Sequence, residues 1–300
     1  MMAERMASPM PPERNGVARA YSLWGLGIGV AGAAALVAAW QWTGSQLALV
    51  QAADSVVDSL TAAGLWWAAR ISREPPDENH PAGHQPAEPI GALLVAVLAG
   101  ALCFEVASQA IDALNSDRSP ALPPALVGVF AAKGLAKSWL ARAALRRNRR
   151  SPSPVLQAIG VDSRNDALVG AVAIVGYFGA RFGSPRIDAW LALPLAAWIG
   201  ASAVWLGLEN LRLLMGEAAP PERRRDLLAL ASSVPGVRRA HSLKAYHWGS
   251  GLMVWVQVVV DPELSVREGH DIGHAVENRI CAEGDVVQVH AHVDVDEDED

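Results

Sequence analysis

The chain has 300 residues, 51% of them hydrophobic and 19% charged, with a mean hydropathy of +0.19 and a formal net charge of −6. A water-soluble protein of this length normally carries more charge, so the composition argues against a purely soluble chain. Charged residues are sparse between Leu23 and Leu214 and dense in the C-terminal remainder. This distribution predicts a membrane domain followed by a soluble domain.

Apolar stretches recur along the first part of the chain, each close to the ~20 residues that a helix needs to cross a bilayer. We expect six transmembrane helices, over Ser22–Trp42, Leu47–Ile71, Pro89–Leu114, Leu122–Ala144, Pro154–Phe182 and Ile187–Leu214. The fourth stretch is the weakest, because Lys133 and Lys137 interrupt it. No small-residue cleavage site follows the first stretch directly, which favours a retained helix over a signal peptide.

Basic residues indicate the orientation in the membrane. They are concentrated between predicted helices four and five and again after helix six, at Arg142, Arg146, Arg147, Arg149, Arg150 and Arg223–Arg225. The positive-inside rule therefore places both termini and the loop between helices two and three in the cytoplasm. A composition rich in Ala, Arg, Gly and Pro favours a bacterial protein, hence the plasma (inner) membrane.

From Glu222 the pattern changes to that of a small α+β domain. We expect a helix over 222–232, strands over 237–244 and 252–260, a helix from a Ser265–Glu268 capping box to about Cys281, and a strand over 286–295. The order αββαβ predicts two layers. The expected organisation is a cytoplasmic N-terminal tail (1–20), a six-helix transmembrane domain (21–216), a cytoplasmic domain (217–295) and an acidic tail (296–300).

Two predicted helices carry aspartates one turn apart. Asp54 and Asp58 lie in the second helix, Asp162 and Asp166 in the fifth, and a spacing of four places each pair on one helix face. Ionisable groups at membrane depth are costly and occur mainly where they bind an ion, relay protons or face a cavity. The pairs therefore predict a four-carboxylate site for one divalent cation. The alternative is pairing with basic residues; Arg164, between the second pair, lies on a different helix face.

The predicted loop between helices two and three contains Asp77, His80 and His84 within PPDENHPAGH. These side chains are of the types that bind metal, and a purely structural loop is the alternative. The HxxxH spacing also occurs in zinc hydrolases, but Pro81 and Gly83 disfavour a helix there and the general-base glutamate of HExxH is missing. We therefore expect no enzyme.

Histidines are frequent in the predicted soluble domain. His290, His292 and Asp294 alternate along the last strand and therefore project from one face. His270 and His274 lie one turn apart on the preceding helix. Imidazole together with carboxylate suits zinc, iron or manganese, so the set predicts metal binding, although any one of these histidines is compatible with an ordinary surface role.

Together these features resemble the cation diffusion facilitator (cation efflux) family. The resemblance covers about Leu23 to Asp294 and rests on DSVVD in helix two, the loop PPDENHPAGHQPAEP, the DxxxD of helix five, and VVVDPELSVREGHDIGHAVENRI followed by VHAHVDV. It implies a homodimer, joined through its membrane and cytoplasmic domains, of six-helix subunits with a metallochaperone-like, ferredoxin-like domain. It also implies exchange of a divalent transition metal for protons by alternating access, without an organic cofactor or a nucleic-acid partner.

The resemblance assigns roles to individual residues. It implies a transport site formed by Asp54, Asp58, Asp162 and Asp166. It also implies a loop site formed by Asp77, His80 and His84. A third, cytoplasmic site is implied at His241, His270, His292 and Asp294. Zinc-transporting relatives commonly have histidine where Asp162 stands, and Gln257 replaces a strand histidine of the cytoplasmic site. Oxygen-only ligation is typical of manganese- and iron-type members and favours Mn²⁺ or Fe²⁺ over Zn²⁺.

The sequence thus predicts a divalent metal/proton antiporter for Mn²⁺ or Fe²⁺, with Zn²⁺ possible. A different class of function is the alternative: a membrane-anchored metal-sensing or scaffold protein that binds metal through its cytoplasmic histidines and transports nothing. The two aspartate pairs disfavour this alternative, because an anchor has no need of four carboxylates at membrane depth.

Overall fold

The computed structural model of the chain describes residues 12–43, 46–115, 124–182 and 187–295. The chain forms two compact units. Of the described residues, those within 15–70 and 88–211 form the helical unit, and those within 12–14, 71–87 and 212–295 form the C-terminal unit. The segment between the second and third helices therefore belongs to the same unit as the C-terminal domain.

Within the described residues, long helices follow one another along the first part of the chain. They are α1 (Pro12–Thr43), α2 (Gln46–Ile71), α3 (Ala87–Asn115), α4 (Pro124–Arg150), α5 (Pro154–Phe182) and α6 (Ile187–Leu214). Three of them are long and apolar enough to cross a membrane by length and composition, over Gly16–Trp42, Ala87–Asn115 and Trp190–Leu214. Of the other three, α2 and α5 carry the aspartates of the predicted site, and α4 carries Lys133 and Lys137. The first helix begins earlier than predicted, so the expected tail is helical from residue 12.

Large apolar side chains lie both inside and outside the helical unit. Leu140 and Leu206 are fully buried in its core, whereas Phe104 and Leu135 are about three-quarters exposed, at 75% and 73%. A soluble protein rarely exposes so many large apolar residues on helices, but a bilayer solvates them. The exposed surface is thus that of a membrane domain.

Helix α4 extends past its predicted end at Ala144 to Arg150. The basic residues of 142–150 therefore lie on the last turns of a helix, and the prediction of a basic loop at this point is wrong. Ala and Arg have high helix propensity, and basic side chains interact favourably with the negative end of a helix dipole. The connection to α5 is short, Ser151–Ser153, and Pro154 occupies the first helical position, where its missing N–H costs nothing.

The C-terminal unit has the predicted αββαβ order. Its elements are α7 (Pro221–Ser232), β1 (Arg239–Trp248), β2 (Gly251–Val260), α8 (Val266–Cys281) and β3 (Val286–Val295). The sheet order is β1-β2-β3, with β1 antiparallel and β3 parallel to β2. Strand β1 extends beyond its predicted end at Lys244 into a tight hairpin, whose turn uses Gly249 at a φ of +63°.

The capping box at the start of α8 forms as predicted. The Ser265 side chain accepts a hydrogen bond from the backbone N–H of Glu268, and the Glu268 carboxylate accepts one from the backbone N–H of Ser265 at 2.8 Å. The side-chain hydrogen bond from Ser265 is the main cause that lowers the pKa of Glu268. These bonds satisfy N–H groups that the first turn of a helix leaves without a partner.

One face of the sheet forms the core of this unit. Alternate valines of β2 are fully buried there, at Val254, Val256 and Val258. They share the core with Leu227 of α7 and Val276 of α8. On the opposite face Trp255 is 52% exposed and Gln257 is exposed as well. Because side chains alternate along a strand, this outer face also presents His290 and His292 of β3, which pair with Trp255 and Gln257 in register.

Candidate metal-transport site

Helix α4 brings a lysine to the aspartate pair of α2. The Lys133 ammonium lies 3.0 Å from Asp58 Oδ2 and 3.9 Å from Asp54 Oδ2. It also donates a hydrogen bond of 2.8 Å to the hydroxyl of Ser55. All three acceptors belong to α2, so Lys133 ties α4 to the face of α2 that carries the pair.

One turn further along α4, Lys137 reaches the aspartates of both helices. Its ammonium donates a short hydrogen bond to Asp166 Oδ2 and lies 3.6 Å from Asp162 Oδ2. It also lies 3.4 Å from Asp58 Oδ2 of α2. The Lys137 side chain is only 3% exposed. A buried ammonium is stable only when anions surround it, and here three carboxylates do so.

The aspartates are therefore paired with basic residues, which is the alternative that the sequence pattern disfavoured. Arg164, the basic residue considered from the sequence, does not pair with the aspartates in the structure, because it lies on a different face of α5. Arg164 instead donates to the Ser202 hydroxyl at 3.1 Å, and its guanidinium lies 5.1 Å from the ring centroid of Trp198. Lys133 and Lys137 take the pairing role because their side chains extend from α4 to the aspartates of α2 and α5.

Two small cavities adjoin the cluster, and each receives one aspartate from α2 and one from α5. Asp58 and Asp162 line a cavity of about 10 Å³ together with Lys137. Asp54 and Asp166 line a second cavity of about 30 Å³ together with Lys133. The Asp54 carboxylate is 47% exposed whereas that of Asp58 is 10% exposed, so the cluster opens on the Asp54 side.

The ammoniums of Lys133 and Lys137 lie between the carboxylates of α2 and α5. In the part of the chain that the structure describes, only one group of three or more His, Cys, Asp or Glu side chains has its ligand atoms within 4.8 Å of one another, and it is the loop cluster. The membrane aspartates surround lysine nitrogens instead. Shared ligation of one ion by all four would require the lysines to move.

The loop cluster is compact and exposed. Asp77 Oδ1 lies 3.3 Å from His80 Nδ1, and Asp77 Oδ2 lies 3.5 Å from His84 Nε2. The two imidazole rings are 4.5 Å apart between centroids. Backbone N–H groups of His80 and Asn79 donate to Asp77 Oδ1 and hold the pKa of Asp77 below its usual value. An ionised carboxylate next to two imidazoles is a ligand set that suits a transition metal.

The predicted cytoplasmic residues do not meet within one chain. His241 lies on β1 at a register shift, His270 on α8, and His292 and Asp294 on β3. His270 contacts His274 instead, with 4.3 Å between ring centroids. Any shared metal site formed by these residues needs ligands beyond one copy of the chain or a different arrangement of the elements.

The sequence-based prediction missed the pairing of Lys133 and Lys137 with the aspartates, although the sequence contained two signals of it. The lysines have the same one-turn spacing as Asp54/Asp58 and Asp162/Asp166, which places both on one face of α4. The chain also contains just three lysines, at 133, 137 and 244, while its other basic residues are arginines. Two of three lysines within one predicted membrane helix is a pattern that invites a functional explanation.

Both the helical part and the C-terminal part of the chain match known protein families. Residues 23–215 match the cation efflux transmembrane domain, and residues 219–296 match the cytoplasmic domain of cation efflux proteins. The uncharacterized transporter MJ0449 of Methanocaldococcus jannaschii is 30% identical over 75% of this chain and 80% of that protein. The cation-efflux pump FieF of Klebsiella pneumoniae is 28% identical over 81% of each. The solved structure named MamM-CTD 215-293 is 27% identical, covers 25% of this chain and 98% of its own, and has a TM-score of 0.24.

Proposed function

The chain belongs to the cation diffusion facilitator (cation efflux) family, and from that premise we propose that it exports a divalent transition metal in exchange for protons. The proposed cargo is Mn²⁺ or Fe²⁺, with Zn²⁺ as a further candidate. The observation that carries the proposal is the arrangement of Asp58, Asp162 and Asp166 around one buried cation, the Lys137 ammonium. Carboxylates that hold one cation in a buried site have the charge to hold another.

The oxygen-only ligand set supports the choice of metal. Asp54, Asp58, Asp162 and Asp166 offer carboxylate oxygens, which suit Mn²⁺ and Fe²⁺, whereas Zn²⁺ gains more from imidazole. In the proposed cycle the metal enters from the cytoplasm and replaces protons on these carboxylates. After the helices rearrange, protons from the opposite side compete the metal off.

The other two clusters have supporting roles in this proposal. Asp77, His80 and His84 bind metal at an exposed site of the C-terminal unit. His241, His270, His292 and Asp294 contribute to a metal site between two chains, and the match of residues 219–296 to the family's cytoplasmic domain supports dimerisation there. Both termini are proposed to lie in the cytoplasm and the protein in the bacterial inner membrane, because basic residues end α4.

Transport in proteoliposomes tests the proposal. The purified chain is reconstituted with a metal-sensitive and a pH-sensitive dye, and Mn²⁺, Fe²⁺, Zn²⁺ and Co²⁺ are added in turn. We expect Asp54→Ala and Asp166→Ala to abolish metal-dependent proton flux while the dimer persists. Asp226→Ala, the same substitution at an exposed position of α7, serves as the matched control and should transport normally. Normal transport by both site variants would refute the proposal.

The lysine pairs favour one other function. If the carboxylates of α2 and α5 only stabilise the helical unit through Lys133 and Lys137, the chain is a membrane-anchored metal sensor or scaffold that binds metal through its loop and cytoplasmic residues. This function predicts metal binding without flux of any tested metal. The same proteoliposome experiment therefore separates the two functions.

A further inference from the structure

Lys137 is the most deeply buried charged side chain of the carboxylate cluster, at 3% exposure. We propose that its ammonium is a tethered counter-cation that competes directly with the transported metal for Asp58, Asp162 and Asp166. The inference rests on the proposed function, because it takes the aspartates to be the transport site. It adds a role for a residue of α4, which the sequence pattern had assigned to none of the metal sites.

The position of the ammonium is the first argument. Its nitrogen lies 3.4 Å from Asp58 Oδ2 and 3.6 Å from Asp162 Oδ2 while it donates to Asp166 Oδ2. The inner oxygens of three carboxylates from two helices thus point at one nitrogen. A metal ion that used these same oxygens would have to occupy nearly the same place, so both cations cannot be bound there together.

The quality of the contacts is the second argument. Asp58 Oδ2 is buried and makes no aligned hydrogen bond, although both ammoniums lie within ion-pair distance of it. Its interaction with the lysines is therefore mainly a charge interaction that a stronger cation can replace. A divalent ion has twice the charge of an ammonium and, as a Lewis acid, binds carboxylate oxygen directly.

A cavity next to Lys137 can accept its ammonium when a metal displaces it. The cavity of about 10 Å³ beside Lys137 is also lined by Ser22 and Gly25 of α1. Such a cavity has room for about one water molecule or one ammonium group. The Ser22 hydroxyl, which donates to Ala18 O, keeps lone pairs that can accept a hydrogen bond from the displaced lysine. The exchange moves a charged side chain and breaks no covalent bond.

The formal charge of the cluster selects the class of cargo. Once the four carboxylates have released their protons, they and the ammoniums of Lys133 and Lys137 carry a formal charge of −2, which one divalent cation neutralises. A monovalent ion leaves the cluster charged, and a trivalent ion makes it positive, and both are costly at membrane depth. The lysines thereby favour divalent cargo and, together with the incoming protons, neutralise the carboxylates after the cargo leaves.

Metal affinity of a lysine variant tests the inference. The full-length chain is purified in detergent with His80→Ala, His84→Ala and His292→Ala to remove other ligands, and Mn²⁺ and Zn²⁺ binding is measured by calorimetry at fixed pH. We expect Lys137→Met to bind both ions about tenfold tighter or more, because a competing charge a few ångströms away has been removed. Lys244→Met, the same substitution at an exposed strand position, should leave the affinity unchanged.

If Lys137→Met alone fails to fold, a double variant with the net charge of the unaltered chain allows the same test. Lys137→Met combined with Asp162→Asn removes one positive and one negative charge, and it is compared with Asp162→Asn alone. Tighter binding by the double variant supports competition. Equal or weaker binding overturns it and leaves Lys137 as a structural partner of the aspartates. Failure of the proposed function is a separate result, since it appears as normal transport by Asp54→Ala and Asp166→Ala.

Discussion

The indole N–H of Trp248 donates a hydrogen bond of 2.9 Å to the main-chain oxygen of Ala82. Trp248 ends β1, and Ala82 lies between the histidines of the loop cluster. In the adjacent turn, a side chain at Gly249 would meet the backbone oxygen of Gln85 at 2.2 Å, so the loop and the hairpin approach as closely as glycine permits. The loop that carries Asp77, His80 and His84 is therefore held against the sheet of the same unit.

Replacement of the indole should loosen this loop. Trp248→Phe keeps an aromatic ring but removes the donor to Ala82, and a neutral hydrogen bond contributes about 1 kcal/mol. We expect amide hydrogen exchange over residues 77–84 to accelerate by roughly fivefold, with weaker metal binding by the loop. Trp255→Phe, on the exposed outer face of the sheet, is the control and should not alter exchange there. Equal exchange in both variants would show that the hydrogen bond does not hold the loop.

Histidine at position 162 should shift metal preference toward zinc. Asp162→His replaces a carboxylate oxygen by an imidazole nitrogen at a residue that contacts Lys137. We expect the ratio of Zn²⁺ to Mn²⁺ transport to rise by roughly tenfold in a competition assay with proteoliposomes, because imidazole suits Zn²⁺ better. Asp162→Asn is the control for loss of charge alone. An unchanged ratio in Asp162→His would mean that this position does not contact the transported ion.

Arg223, whose guanidinium bonds two carboxylates, should stabilise the C-terminal domain more than Arg225 does. Arg223 donates to Asp285 Oδ2 and to Glu283 Oε2, each at 2.9 Å, and the hydrogen bond to Asp285 is the main cause that raises the pKa of Arg223. Arg223→Lys loses the fork and should cost about 1–2 kcal/mol, measured as faster hydrogen exchange of α7 and β3 in the full-length chain.

The matched control for this variant is Arg225→Lys, two residues along the same helix. Arg225 makes an exposed pair with Glu222 at 3.4 Å, with both side chains about three-quarters exposed, at 74% and 76%. Exposed pairs of this kind contribute about 0–1 kcal/mol, so exchange should change little. A larger effect in Arg225→Lys than in Arg223→Lys would contradict the importance of the fork.

Acid should destabilise the hairpin through His247. Burial lowers the pKa of His247, and the nearby carboxylates of Glu217 and Asp285 only partly oppose this. The unfolded chain therefore takes up a proton at a higher pH than the folded chain does. The contribution to stability is complete above the ordinary histidine pKa of about 6.5 and is lost as the pH falls toward the lowered value.

Hydrogen exchange of β1 between about pH 7.5 and about pH 5, corrected for the intrinsic exchange rate, measures this effect. His247→Gln should remove part of the acid sensitivity, because it carries no titrating group. His274→Gln, an exposed position on α8, is the control and should behave like the unaltered chain. Equal pH dependence in the His247 variant would show that other groups cause the loss of stability.

The helices and the αββαβ order were predictable because both follow from local pattern. Long apolar stretches indicate where helices can lie in a bilayer, and the alternation of apolar and polar residues from Val287 to Val295 indicates a half-buried strand. Boundaries were less predictable: α4 runs through Arg150 because helix propensity, not hydropathy, decides where a helix ends outside the apolar region.

The shared helix face of each aspartate pair was predictable from the sequence, but the partners of the aspartates were not. The one-turn spacing showed that Asp54 and Asp58 share a face, and likewise Asp162 and Asp166. Which third helix meets those faces depends on packing between helices, and no local pattern encodes it. In the sequence Lys137 only interrupts an apolar stretch, whereas in the structure its ammonium lies next to Asp58 of α2 and Asp162 of α5.

The three-residue connection between α4 and α5 has a consequence for how the protein is made. A lysine near the centre of a membrane helix opposes insertion by about 2.5–3.5 kcal/mol, and an aspartate does so by a similar amount. Entering lipid alone, α4 would carry two uncompensated lysines and α5 two uncompensated aspartates. With only Ser151–Ser153 between them, Lys137 can meet Asp162 and Asp166 while the chain is still leaving the ribosome. Biogenesis should therefore treat α4 and α5 as one hairpin, and the ion pairs of the proposed transport site should also help both helices to enter the bilayer.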